Sequence, residues 1–568
     1  MDGAHRVGYD LRHASPHPDA TVAAIRHRGL RGVASRDVSA PPRDADEVRG
    51  AELIAATCLA TDLAMGFPFE HGLRATAMTM RLAERCGVDH PTASQTYHAS
   101  LLMYAGCMTD AHVTSQIFAG GMEEHMTPAQ FGSRPEIMRG VARALPPAGA
   151  PPQRRAVEVA RRFPRAATMV RPQFAAMCEV AELLADRIGV PGDVPTLFPY
   201  LTERWDGKGV LGRARGDAIP LAIRLMHVAR DAAFQRVIGG EAHAVETIRR
   251  RAGHAFDPDV ARAFVLHASE MFQAADDPSS AWDVILAAEP QPHLSLAGDA
   301  IDRALAAIGT FAELASPYLA GHSAGVAERA AAGARVCGLG DAEVRLVRRA
   351  GLLHDVGRAA VHPRVWEIPG PLDADAREQV RLHAYHLERV TDRSPFLATL
   401  ASVACSHHER LDGSGYHRAL PAAGLPPAAR LLAAADVYQA LMEPRAHRPA
   451  YRVDEASDIL GDEAKAGRLD AEMVAAVLRG AGQPARRIER PAGLTEREIE
   501  VIGMLARGLA TKQVARVLGI SIKTADRHIQ NAYRKVGVST RAGAAIYAVE
   551  HGLVPWGGLP IADPPRDT

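Results

Sequence analysis

Leu352-Leu353-His354-Asp355-Val356-Gly357 sets an imidazole beside a carboxylate directly after the apolar Ala350-Gly351-Leu352-Leu353. A buried aspartate in such a dry helix is costly unless it is paired or bound to a cation. The hexapeptide has a counterpart 251 residues upstream, Leu101-Leu102-Met103-Tyr104-Ala105-Gly106, and at the same offset Glu70-His71-Gly72 falls on Gly321-His322-Ser323. Glu203-Arg204-Trp205-Asp206-Gly207-Lys208-Gly209 matches Glu409-Arg410-Leu411-Asp412-Gly413-Ser414-Gly415 at an offset of 206, as does Arg224-Leu225 with Arg430-Leu431. Two constant offsets, each carrying two separate matches, favour internal duplication over chance likeness between Ala-rich helices. Their difference, 45 residues, places an insertion in the first copy around Leu145-Pro146-Pro147-Ala148-Gly149-Ala150-Pro151-Pro152, whose composition suits a loop.

Outward from this repeat, 568 residues suffice for roughly three to four domains. Hydrophobic residues at 47% and charged ones at 23% exclude a disordered or fibrous chain. Lys and Arg balance Asp and Glu, 66 against 66, so any charged partner must be met locally. Six cysteines without CxxC spacing argue against a disulfide framework or a thiolate zinc site and suit a reducing cytosol. With neither a signal segment nor a long apolar run, the expected location is cytoplasmic, with no membrane partner. From about residue 50 the spacing is helical almost to the end, which predicts an all-α chain. The expected divisions are an arm at 1–48, a first helical domain at 49–290, a second at 291–482, a linker at 483–489, a small basic domain at 490–555 and a flexible tail at 556–568.

The second copy gathers His322, His354, Asp355, His383 (with His386 one turn on as a competitor), His407, His408 and Asp436. Several imidazoles and two carboxylates on buried faces of one bundle point to metal. Nitrogen and carboxylate ligands without thiolate suit Mn or Fe, with Zn possible, and an aspartate able to bridge suggests two divalent ions. Such a pair can activate water and hold both the attacking and leaving oxygens of a phosphodiester.

With Asp412-Gly413-Ser414-Gly415-Tyr416 added, residues 315 to 455 resemble an HD-GYP domain of the HD phosphohydrolase superfamily. The resemblance implies two tandem helical HD-type domains and, in the second, a phosphodiesterase acting on cyclic di-GMP or a related nucleotide. It makes His322, His354, Asp355, His383, His407, His408 and Asp436 metal ligands. It assigns His354, Asp355 and Arg358 to catalysis, and Arg358, Gly415, Tyr416, Arg445 and Arg448 to the substrate. The chain departs from the family in Gly415-Tyr416-His417, in Arg358 for the usual lysine and in Gln439 for a common acid. Tyr318 stands where some members have a glutamate for a third metal, which leaves two ions expected. In the first copy His71 persists, but Met103-Tyr104 replace His354-Asp355, Leu201-Thr202 replace His407-His408, and Arg230 falls where Asp436 sits. That copy resembles a degenerate HD-GYP domain with a structural or regulatory role.

Between Arg490 and His551, ten Lys/Arg stand against five Asp/Glu, a local charge of +5. Thr495 and Glu498 form a capping box that opens a helix through about Arg507; a second helix runs from about Lys512 to Leu518, and Ser521 caps a third from Ile522 to about Val536. In the third helix Ile522, Ala525, Ile529, Ala532, Tyr533 and Val536 form the expected apolar stripe. Lys523, Arg527, Gln530 and Arg534, flanked by Thr524, His528, Asn531 and Lys535, form a polar and basic face suited to a major groove. Residues 490 to 553 resemble a LuxR-type helix-turn-helix, which implies double-stranded DNA as partner and, because such modules pair to read half-sites, a homodimer.

Overall fold

The structure, a computed structural model, describes residues 47–108, 114–115, 117–119, 125, 129–277, 279–420, 422–482, 491–551 and 553. The expected linker and tail lie outside them, as does the expected arm except for Glu47 and Val48. Those two residues belong to a strand, β1 (Glu47–Arg49), with Val48 buried.

The all-α expectation holds, since strand is confined to β1 and β2 (Ser295–Ala297) among the described residues. The first copy contains α1 (Gly50–Ala64), α2 (His71–Arg85), α3 (His90–Leu102), α4 (Arg134–Ala144), α5 (Pro152–Ile188), α6 (Leu221–Arg251), α7 (Pro258–Leu266), α8 (Ala268–Ala275) and α9 (Ala281–Ala288). The second contains α10 (Asp299–Glu313), α11 (His322–Val336), α12 (Asp341–Leu353), α13 (Ala374–Arg381), α14 (His383–Thr391), α15 (Pro395–Ala404), α16 (Pro427–Met442), α17 (Val453–Lys465) and α18 (Ala471–Ala481). The C-terminal module contains α19 (Glu496–Ala506), α20 (Thr511–Val517), α21 (Ile522–Val536) and α22 (Arg541–Glu550).

The duplication is visible helix by helix. α1 and α10 both have 15 residues, α2 and α11 both have 15, and α3 and α12 both have 13. The second helix of each copy starts from a left-handed residue, Glu70 at φ +71° or Gly321 at φ +81°. A buried acid from the end of the preceding helix satisfies the N–H groups that a helix start leaves without partners. Asp62 accepts from Gly72 N–H at 3.0 Å, and Glu313 accepts from Gly321 and Ser323 N–H, each at 2.6 Å.

Backbone close approaches fix the two offsets. A Cβ on Gly106 would lie 1.8 Å from the Met177 carbonyl oxygen, and one on Gly357 would lie 1.9 Å from that of His383. Gly106 and Gly357 are thus equivalent at 251, and Met177 and His383 at 206, so the insertion falls between 106 and 177. It is not the simple loop that its Pro/Gly composition suggests. Among the described residues 145–151 form a turn between α4 and α5, and Ile117, Phe118, Ala144, Leu145 and Ala166 pack into a small apolar cluster.

β1 and β2 precede the first helix of each copy and pair antiparallel, Val48 opposite Leu296. Antiparallel pairing of corresponding segments is what a two-fold relation produces. The helices obey it as well, since α1 crosses to pack on α14 and α10 crosses to pack on α5. One apolar core, including Leu53, Ile54 and Leu59 with Ile301, Leu305 and Leu353, runs through both copies. In the C-terminal module, Ala542 and Ile546 of α22 pack on Val180 and Leu183 of α5 and on Leu314 beside α10. Glu179 accepts from Ser539 Oγ at 3.0 Å, and Arg187 pairs with Glu550 at 2.5 Å along the same seam.

Candidate functional site

The site lies where α11, α12, α14, α15 and α16 converge. His322 opens α11, His354 caps the C-terminus of α12, His383 opens α14, His407 and His408 follow α15, and Asp436 sits in α16. His322, His354, His383 and His407 are fully buried, and Asp355 and Asp436 nearly so.

Three of the imidazoles are oriented by one device. His354 Nδ1 donates to Gly351 O at 2.7 Å, His407 Nδ1 to Ala404 O at 2.6 Å, and His383 Nδ1 to Val380 O. Each acceptor is three residues back, among the carbonyls that a helix end leaves unpaired. A carbonyl can only accept, so Nδ1 carries the proton and Nε2 turns its lone pair to the centre. His383 Nε2 and His407 Nε2 consequently face each other at 3.1 Å.

Two groups result: His322, His354 and Asp355, and His383, His407 and His408, with candidate ligand atoms within 4.8 Å of one another in each. Asp355 joins them. Its Oδ2 is 3.3 Å from His322 Nε2 and 3.1 Å from His354 Nε2, while its Oδ1 is 3.4 Å from His383 Nε2 and 3.5 Å from His407 Nε2. Asp436 also spans the centre, with Oδ1 3.1 Å from His322 Nε2 and Oδ2 3.7 Å from His408 Nδ1. His354 Nε2 and both Asp355 oxygens are buried without a well-formed hydrogen bond. Buried polar atoms without such partners, and lone pairs aimed at lone pairs, fit a cation. The donor set of imidazole and carboxylate without thiolate fits divalent transition ions.

The electrostatics agree. Burial by itself would lower His354, but the Asp355 and Asp436 carboxylates outweigh it and hold the imidazole up at about 9. Burial would raise Asp355, yet Arg358 and then His354 outweigh it and keep the carboxyl well below its usual range. His407 is driven down to about 4 by burial, with His354 adding to the effect. The carboxylates beside His354 thus favour positive charge in that group. His386, the competitor for His383, is half-buried, stands outside both groups and is lowered to about 4, first by burial.

Around this centre Arg358 pairs with Asp355 Oδ2 at 2.7 Å and stacks on Trp366 with its guanidinium 5.2 Å from the ring centre. Gly415 is required by space, because a Cβ there would lie 2.5 Å from Glu409 Cα and 2.6 Å from His408 O. The backbone can therefore run against His408 and set the Tyr416 ring 4.7 Å from that imidazole. Arg445 and Arg448 face each other across a tight turn through N–H···O bonds of 2.8 and 3.1 Å. Arg448 is engaged with the carbonyls of Ala440, Leu441, Glu443 and Pro449, and Arg445 with Glu443 and Tyr318 O.

Sequence reasoning missed Glu409 and Glu443. Glu409 accepts from Arg418 and Leu420 N–H at 2.8 and 2.9 Å and fixes the loop that carries Gly415; its presence in both repeats, as Glu203, was the available signal. Glu443 accepts from His322 Nδ1 at 2.9 Å. In the first copy the equivalent volume is closed by other means: Arg230 donates to Tyr104 Oη at 2.9 Å and to Gln130 Oε1 at 2.8 Å, beside His71.

In the C-terminal module, Thr495 and Glu498 form the expected capping box and Ser521 accepts from Thr524 N–H at 3.1 Å. Lys523, Arg527, Gln530 and Arg534 are exposed on α21, and Thr524, His528 and Asn531 are half-buried beside them. One expectation changes. Ile522 leaves the apolar stripe at 54% exposure, because the core cluster of the module begins on α21 at Ala525. Lys535 donates to Glu498 at 2.7 Å and to Gly493 O at 3.1 Å, and so ties α21 to the capping box of α19.

Residues 308–473 match the HD domain family, and residues 492–548 match the bacterial regulatory proteins of the luxR family. The chain thus carries an HD domain followed by a C-terminal LuxR-type helix-turn-helix domain. Among known proteins it is 32% identical over 280 residues to 3′3′-cGAMP-specific phosphodiesterase 3 of Vibrio cholerae, covering 49% of this chain and 60% of that one. It is 38% identical over 150 residues to the cyclic di-GMP phosphodiesterase response regulator RpfG of Xanthomonas campestris pv. campestris, covering 26% and 39%. Over 61 residues it is 41% identical to the transcriptional regulatory protein MctR of Rhizobium johnstonii, covering 11% and 28%. The chain thus spans three fifths or less of each of these curated relatives. A crystal structure of a cyclic GMP-AMP specific phosphodiesterase of V. cholerae shares the fold with a TM-score of 0.54 at 23% identity, covering 77% of this chain and 99% of that one. No helix among the described residues is long and apolar enough to cross a membrane.

Proposed function

We propose that the protein is a metal-dependent phosphodiesterase of cyclic dinucleotides, cyclic di-GMP foremost, whose C-terminal module binds double-stranded DNA. The observation that carries the reading is the pair of carboxylates, Asp355 and Asp436, each spanning two groups of buried imidazoles. His322, His354, Asp355, His383, His407, His408 and Asp436 would hold two ions, Mn or Fe before Zn. Such ions supply Lewis acidity, which activates water near neutral pH and offsets charge on phosphoryl oxygens. Arg358, held against Trp366, and Tyr416, held by the close turn at Gly415, would orient the phosphodiester, with Arg445 and Arg448 as further cationic contacts. Water adds across one P–O3′ bond: the bond from phosphorus to the water oxygen forms, the bond to O3′ breaks, and O3′ takes up a proton. The product is the linear dinucleotide. The exposed face of α21, with Lys523, Arg527, Gln530 and Arg534, supports the DNA assignment, since a helix with one buried and one basic, amide-bearing face suits a major groove.

The test is incubation of the protein, loaded anaerobically with Mn or Fe, with cyclic di-GMP and separately with 3′,3′-cyclic GMP-AMP, and chromatography of the products. The reading expects metal-dependent linear product that His354→Ala abolishes. Absence of product from both nucleotides in a metal-loaded protein overturns it, and turnover of cyclic GMP-AMP alone reassigns the substrate.

A further inference from the structure

His322 differs from the other buried imidazoles of the centre in how its ring is held. His354, His383 and His407 each donate Nδ1 to a carbonyl three residues back. His322 opens α11 behind the left-handed Gly321, and its Nδ1 turns to a side chain and not to a carbonyl. Its Nδ1 meets the buried carboxylate of Glu443 at 2.9 Å, while its Nε2 faces Asp355 and Asp436. Glu443 is itself fixed on both oxygens: Oε1 accepts from Gln439 Nε2 at 2.7 Å and Oε2 from Arg445 Nη2 at 2.9 Å. Arg329 in turn donates to Gln439 Oε1. A chain of side chains from α11 and α16 therefore aims this one ring.

We propose that Glu443 is a positioning residue for the ion held by His322, His354 and Asp355, and that it acts by fixing the His322 tautomer and raising the basicity of Nε2. A carboxylate partner strengthens an imidazole ligand more than a neutral carbonyl does, and loss of such an outer partner typically weakens metal affinity about 10- to 100-fold. The asymmetry follows from the fold. In the other group His383 and His407 rest on backbone carbonyls, so Glu443 bears on one ion and not the other. The proposal rests on the metal-centre reading above.

The test measures ion stoichiometry and affinity in the full-length protein by elemental analysis and competition titration with Mn, alongside the electron paramagnetic resonance spectrum of the Mn-loaded form. Wild type is expected to hold two ions with a spin-coupled signal. Glu443→Gln is expected to weaken one ion about 10- to 100-fold, converting the coupled signal to that of a single ion, while the second ion stays tight. Glu443→Asp should recover part of the loss. Gln439→Leu, which leaves the carboxylate but removes one of its donors, should weaken the same ion less and covers the case in which Glu443→Gln does not fold. Two tight, coupled ions in both Glu443→Gln and Gln439→Leu would overturn the proposal with the metal centre intact. A wild type that holds no ion would overturn the metal-centre reading and Glu443's role with it.

Discussion

The duplication supplies its own control for the geometry of the site. Substituting Gly357 by alanine places a Cβ 1.9 Å from the His383 carbonyl oxygen and 2.7 Å from Leu387 N, both backbone atoms of α14 that no rotamer change can move. Restoring an ordinary carbon–oxygen contact of about 3.3 Å requires a displacement on the order of 1 Å between α14 and the turn after His354 and Asp355. Overpacking of that kind costs about 1–3 kcal/mol. The same displacement moves His383 away from Asp355 Oδ1 and breaks a ligand geometry that tolerates only a few tenths of an ångström. Gly106→Ala makes the matching clash in the first copy, 1.8 Å from the Met177 carbonyl oxygen, where no ligand set lies among the described residues. Both variants should lower the unfolding midpoint in urea, but only Gly357→Ala should lower bound Mn, measured by elemental analysis after gel filtration. Full metal content in Gly357→Ala, or metal loss in Gly106→Ala, would refute the link between this close approach and the centre.

Asp355→Asn should weaken both ions, because a carboxylate whose two oxygens each face a different imidazole group loses its charge; undiminished affinity for either ion would argue against bridging. Arg527→Ala should weaken DNA binding and reduce the slope of log affinity against log salt by about 1, measured by fluorescence anisotropy. Lys535→Ala should instead lower the midpoint of the module's unfolding, since its ammonium is engaged with Glu498 and Gly493 O. His71 is pushed down to about 4, first by burial and then by Arg230, so the fold holds it neutral while the unfolded chain takes up a proton below about 6.5. The unfolded state then binds more protons, and stability should fall as pH drops from about 6.5 toward 4, by at most about 1.4 kcal/mol per pH unit from this residue. His71→Phe, which suits the ring pocket of Phe67 and Phe234, should flatten that slope in urea titrations at pH 7 and 5; an unchanged slope would remove His71 as its source.

What could be read in advance was what is local or repeated. Capping at Thr495 and Ser521 depends on residues three apart, and the offsets of 251 and 206 depend on residues kept in both copies. The candidate ligands were legible because acids after apolar runs, as at Asp355 and Asp436, have few structural uses. Glu443 was not legible, since its partner His322 is 121 positions away and the neighbouring arginines drew attention to phosphate. Helical spacing assigned Ile522 to the core because periodicity does not register where along a helix the packed cluster begins. Proline and glycine around residue 150 signalled a turn correctly but hid the helices on either side of it.

The antiparallel pair at Val48 and Leu296 has a thermodynamic consequence. Two copies that meet as identical subunits would meet are here joined by one chain, and a short tether gives each a local concentration of its sibling on the order of millimolar. Their pairing is therefore independent of how much protein is present. It survives any amount of dilution, whereas an assembly of separate chains would come apart. The buried pairing of Arg230 with Tyr104 fills, in the first copy, the place that the imidazole and carboxylate cluster takes in the second.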